Sequence, residues 1–237
     1  MTQPSDPGSP PPFDPAAART ARAVMALTPE RVAASLASYG VNVFPTDVRA
    51  WEAGTAAPDE HELIGLARTL AVPVERLLGA APTTLQLVRI RTGLTRAEAG
   101  RKVGMSEATW ARMERTNCWR ADERRTEALV RTFGGLSHRD LVDVSGASDE
   151  LARLLAAGLA QGRWSAQLSG ICEVLGTRRR RISEALDALT AEFPPPAEKP
   201  EGEPVLPPGA ADRFWGLLGD PAADPFAPGA WRRPPNR

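Results

Sequence analysis

The stretch LTRAEAGRKVGMSEATWARMERTNCWR, Leu94 to Arg120, decides how the chain folds. Leu94, Val103, Met105, Trp110 and Met113 fall at helical spacing, while the residues between them are charged or small. Thr95 opens a first short helix, Gly104-Met105 makes a turn, and Ser106 is a good N-cap for a second helix that ends near Met113-Glu114.

The same arrangement occurs earlier in the chain. LTPERVAASL (Leu27 to Leu36), WEAGTAAP (Trp51 to Pro58) and LIGLARTLAV (Leu63 to Val72) are echoed by LTRAEAGRKV (Leu94 to Val103), MERTNCWR (Met113 to Arg120) and EALVRTFGGL (Glu127 to Leu136). Two similar units therefore lie head to tail. The first takes 24 positions from Leu27 to Trp51 and the second 19 from Leu94 to Met113, so five extra residues lengthen the turn of the first, around Ala37 to Phe44.

Six of the 23 prolines fall in residues 1 to 15 and twelve in 194 to 237, which marks the folded middle. Residues 1–15 are expected to be disordered and 194–211 an extended linker. The internal prolines Pro29, Pro45, Pro58, Pro73 and Pro82 sit where a helix begins or a turn falls. With few β-branched or aromatic runs, the expected fold class is all-α: unit one over 16–82, unit two over 83–147, a third helical unit over 148–193, the linker, and a tail over 212–237.

Apolar stretches are broken by Arg or Glu every few residues, so no membrane span is expected, and Met1 to Pro15 lacks the features of a secretory signal, so a cytoplasmic location follows. Cys118, Cys172, His61 and His138 are isolated, so no disulfide, metal site, cofactor or catalytic set is expected, and the chain reads as a non-enzyme. Trp51, Trp110, Trp119 and Trp164 read as core rather than as stacking platforms.

On these residues the chain resembles the Xre/Cro, lambda-repressor-like family of helix-turn-helix regulators, with their pattern LTQEELAxxLGVSxxTISRWExG followed by Pro and LxxLAxxLGV. Unit two departs from it at Met113, where the family usually has Trp, and at Thr116, where a Gly usually ends the helix. The resemblance implies a sequence-specific regulator that binds double-stranded DNA. Such proteins read paired half-sites, and either a homodimer or the two units of one chain would supply the pair.

A recognition helix places its N-terminal residues at base edges. In unit two the helix starts at Ser106, whose neighbours' free N–H groups suit a phosphate, and the base-edge residues are Glu107, Ala108, Thr109 and Arg112: Arg112 suits guanine, Glu107 cytosine, and Ala108 or the Thr109 methyl a thymine methyl. Arg89, Arg91, Arg96, Arg101 and Lys102 are candidates for phosphates. Residues 83–147 hold 12 basic and 8 acidic side chains and residues 1–82 hold 6 and 9, which favours unit two as the reader although the whole chain is neutral.

LSGICEVLGTRRRRISEALDALTAEF (Leu168 to Phe193) resembles the helix-turn-helix half of GntR-type regulators, without the hairpin wing that should follow at Pro194. Its run Arg178, Arg179, Arg180, Arg181 opens a helix, where the macrodipole disfavours cations, and this suggests an anionic partner. Beyond the linker, Phe214, Trp215, Leu217 and Leu218 form an apolar motif that either docks back on the helical body or binds another protein. The rival to DNA binding is that both units have become protein-interaction modules, which the inserted turn and the neutral total charge favour.

Overall fold

The computed structural model describes residues 10–79, 83–134, 136–196 and 202–219. Among them are thirteen α-helices and no strand, so the chain is all-helical. No described helix is long and apolar enough to cross a membrane. The chain divides into two compact bodies, one of Met1–Arg101 with Ser106–Arg115, the other of Lys102–Met105 with Thr116–Arg237. This division crosses the boundaries expected at 82/83 and 147/148.

The first body opens with α1 (Pro15–Val24), α2 (Pro29–Ala37), α3 (Pro45–Ala53) and α4 (Glu60–Thr69), followed by a 3-10 turn at Val74–Leu77. α1, α2 and α4 begin where a side chain accepts from their free N–H groups. Asp14 accepts from the amides of Ala16 and Ala17 at 2.9 and 3.0 Å, Thr28 caps α2, and Asp59 and Glu62 bond reciprocally to each other's amides at the start of α4. Pro15, Pro29 and Pro45 occupy first-turn positions that need no donor. Val32, Leu36, Val48, Trp51, Leu63, Leu66 and Leu70 close one core.

Residues 10–14, expected to be disordered with the rest of 1–15, belong to this body. The Asp14 amide donates to the Leu77 carbonyl at 2.8 Å, the Gly79 amide donates to that of Pro12 at 3.3 Å, and Phe13 packs on the core. Apolar content alone misjudged this segment, because a single Phe and two backbone bonds, with Leu77 and Gly79, suffice to order it. Residues 1–9 lie outside the described residues.

The remaining helices of the first body are α5 (Leu85–Arg91), most of α6 (Arg96–Val103) and most of α7 (Glu107–Thr116). The second body holds α8 (Glu123–Thr132), α9 (His138–Val144), α10 (Ser148–Gln161), α11 (Leu168–Leu175), α12 (Arg179–Glu192) and α13 (Ala210–Leu217). Leu151, Leu155, Leu159, Trp164, Ile171, Leu175, Ile182, Leu186 and Leu189 form its core. Trp51, Trp110, Trp119 and Trp164 are all buried, as their helical spacing indicates.

The apolar motif after the linker forms α13, which packs on α12, with Phe214, Trp215 and Leu218 inside the second core and Leu217 at its edge. Of the two outcomes expected for Phe214, Trp215, Leu217 and Leu218, the structure shows the docking back onto the helical body. The Arg213 guanidinium fixes the helix from outside through the Glu192 carboxylate at 2.6 Å. Of the linker, residues 197–201 lie outside the described residues, Leu206 packs against the core and Val205 is exposed.

Candidate nucleic-acid interface

α6 begins with a reciprocal cap: the Thr95 amide donates to Glu98 Oε2 at 2.8 Å and the Glu98 amide donates to Thr95 Oγ1 at 3.2 Å. Bonding to the Thr95 backbone holds the Glu98 carboxyl below its ordinary value. Ala99 and Val103 are buried, and the helix stops at Gly104, whose φ of 78° is the left-handed conformation that glycine adopts without cost. A Cβ there would meet nothing within 4 Å, so the requirement at this turn is conformational rather than steric.

Only residues 104–106 separate α6 from α7. Ser106 caps α7: its Oγ accepts from the Thr109 amide at 3.2 Å and lies 2.9 Å from Thr109 Oγ1. Trp110, Met113 and Glu114 face inward and are buried. Ser106, Glu107, Ala108 and Arg112 are exposed, and Thr109 is half-buried with its hydroxyl tied to Ser106. α7 thus presents the face that sequence spacing assigns to base edges. Arg115, to which the sequence assigned no role, and Thr116 are exposed on the same helix.

Between α2 and α3 the turn spans residues 38–44, four residues longer than the turn between α6 and α7. Val41 is buried beneath it, while Tyr39 and Phe44 are exposed. The exposed Arg49 of α3 is paired with Glu30 of α2. The two second helices also end differently. α3 stops at Gly54 in the left-handed conformation, whereas α7 runs through Thr116 and leaves that conformation to Asn117, at φ 45°.

The arginines divided unexpectedly. Arg89, a phosphate candidate by sequence, is fully buried and hydrogen-bonded to Glu114 at 2.5 and 3.1 Å, to Glu60 at 2.8 Å through each of two nitrogens, and to the Leu94 carbonyl at 2.8 Å. Burial opposes its charge, but the bonds to Glu114 and Glu60 outweigh that and raise its pKa. Arg96 lies at the edge of this cluster, 2.9 Å from Glu114 and 3.5 Å from Glu60. The Trp110 Nε1–H donates to Glu114 at 2.6 Å.

Arg89 therefore braces the motif from within, and Arg96 splits its surface between solvent and that brace. The signal was present in the repeat: Arg22 and Arg89 each stand five residues before Leu27 and Leu94, and Glu52 and Glu114 each follow the buried Trp51 and Met113. Arg91 pairs with Glu75 at 2.8 Å, whereas Arg101 and Lys102 on α6 are exposed.

In the second body, α11 and α12 are joined through Gly176, at φ 55°, and residues 177 and 178. Arg178, Arg179, Arg180 and Arg181 are all exposed. Arg178 pairs with Glu123 of α8 at 2.5 Å, Arg180 with Glu184 at 2.9 Å, and Arg181 donates to the Leu218 carbonyl. No strand follows α12 among the described residues.

A family model described as a helix-turn-helix domain matches residues 83–140. No curated protein and no solved structure matches the chain. Residues 83–140, which span α5 to the first turn of α9, are thus a helix-turn-helix segment in an all-helical chain.

Proposed function

We propose that the protein is a sequence-specific DNA-binding transcriptional regulator of the Xre/Cro type that inserts α7 into the major groove. The observation that carries this reading is the pairing of α6 and α7 through a three-residue turn, with Trp110 and Met113 inward and Ser106, Glu107, Ala108 and Arg112 outward. Arg112 pairs with guanine, Glu107 accepts from cytosine, and Ala108 and the Thr109 methyl meet thymine methyl groups. Arg101 contacts a phosphate, and Arg96 reaches one with whatever the Glu114 cluster leaves of its donors.

The first repeat serves as scaffold. Its longer turn, the pairing of Arg49 with Glu30, and its acidic excess all disfavour entry into a groove. The test is selection of bound genomic fragments at two salt concentrations, comparing the intact protein with Arg112→Ala. A motif that the variant relaxes at one position supports base reading by α7. No motif from the intact protein, with binding lost at moderate salt alike in both, leaves the helices as protein-interaction modules.

A further inference from the structure

The arginine run of α12 is not accounted for by the reading of α7, and its surroundings within the second body are specific. A Cβ on Gly176 would lie 2.3 Å from Thr126 Oγ1 and 3.0 Å from the Ala121 carbonyl, so the turn before α12 is pressed against the start of α8. At that start, Glu123 holds Arg178 at 2.5 Å, and Arg125 donates to the Gly104 carbonyl at 3.3 Å. Gly104 belongs to the turn between α6 and α7, two residues before Ser106. A continuous set of contacts therefore links that turn, through the first turn of α8, to the arginine run.

The exposed cations gathered along it are more than the carboxylates can match. Asp122, Glu123 and Glu184 take up Arg125, Arg178 and Arg180. Among the described residues Lys102, Arg124 and Arg179 have no carboxylate partner, and Arg181 meets only a carbonyl. Cations at the start of α12 are also opposed by the helix macrodipole. The exposed pairs of Arg178 and Arg180 are weak enough to exchange for a phosphate.

We infer that the first turn of α12, through Arg179 and Arg180, is a second, sequence-independent contact surface for the backbone phosphates of double-stranded DNA. This rests on the DNA-binding reading of α7 and adds to it a separate footprint. Phosphate contacts fix the register of a protein on its duplex without reading bases. Each one formed releases counterions, so the surface carries a distinct signature in salt.

The test uses the full chain and two duplexes, one of mixed sequence and one selected by the intact protein, with affinity measured across a range of salt. The variant Arg179→Gln/Arg180→Gln is expected to make the slope of log affinity against log salt shallower by about two on both duplexes and to select the same motif. Its melting temperature should be unchanged or higher, because cations leave the positive end of a helix. A control, Arg153→Gln/Arg163→Gln, removes the same charge from exposed positions elsewhere in the second body and should leave the slope as it is.

An unchanged slope in the α12 variant overturns the inference, and so does an equal change in the control, which would reduce the effect to net charge. Failure of the α7 reading appears in a different arm, as a motif that Arg112→Ala does not relax or as no motif at all. The slope on the mixed duplex is read independently of that result.

Discussion

The guanidinium of Arg89, on α5, meets the carboxylate of Glu114, on α7, at 2.5 and 3.1 Å in the interior of the first body. Arg22 and Glu52 stand in the same relation between α1 and α3, at 2.6 and 2.8 Å. In each case a third nitrogen reaches a carbonyl five residues on, Leu27 or Leu94, at 2.8 Å. The brace fixes the end of the second helix of each pair to the helix that precedes the pair, and in unit two it positions α7.

Removing one partner leaves a buried charge alone. Arg89→Ala or Glu114→Ala is therefore expected to lower unfolding stability by about 3–5 kcal/mol. Urea denaturation followed by circular dichroism measures this. A loss below about 1 kcal/mol would show that the cluster is not structural.

The Glu60 carboxyl feels burial, which raises its pKa, but the hydrogen bonds and charge of Arg89 and the charge of Arg96 outweigh it and hold the pKa below the ordinary value. A lowered folded pKa gives stability that is present above the unfolded pKa and is lost as pH falls through the folded one. Glu60→Gln should therefore be less stable than the parent near neutral pH, with the gap closing in acid below the usual carboxylate range. Urea midpoints at a series of pH values measure it, and a gap that widens in acid would contradict this assignment.

Gly158 of α10 lies under the indole of Trp164: an added Cβ would fall 2.0 Å from the ring. The ring cannot retreat freely, because its Nε1–H donates to Thr190 Oγ1 at 2.9 Å. Gly158→Ala should cost about 1–3 kcal/mol through overpacking despite the better helix propensity of alanine. A shift in the Trp fluorescence of the folded state should accompany the loss.

α13 is a structural part of the second body. Phe214→Ala, at a fully buried ring, should destabilise that body by about 3–5 kcal/mol. Hydrogen exchange at the Trp215 amide and indole in the isolated protein should be slow. Exchange at the rate of an unfolded peptide would return the motif to a role as bait for a partner.

The helices were legible in the sequence because their signals are local. Thr28 and Thr95 at starts, Gly54 and Gly104 at stops, and Trp110 and Met113 at helical spacing act within a few residues of chain. The longer turn between α2 and α3 was legible for the same reason, as a difference in spacing between two similar stretches of sequence. So was the outward face of α7, since fixing which residues turn inward fixes which turn out.

Only the tertiary structure decided what the arginines do. Arg89, Arg96, Arg101 and Arg179 are alike as letters, yet one is sealed against Glu114 and Glu60, one is shared between that cluster and solvent, and two are exposed. Their partners stand on other helices, Glu60 being 29 residues from Arg89, and Glu123 being 55 from Arg178. The same holds at both ends of the described chain: Phe13 is ordered by its core contacts and by backbone bonds of its neighbours with Leu77 and Gly79, and Phe214 by the core of the second body. Helix formation is governed by nearest neighbours, whereas the fate of a charge or a lone aromatic depends on which distant surface the fold brings to it.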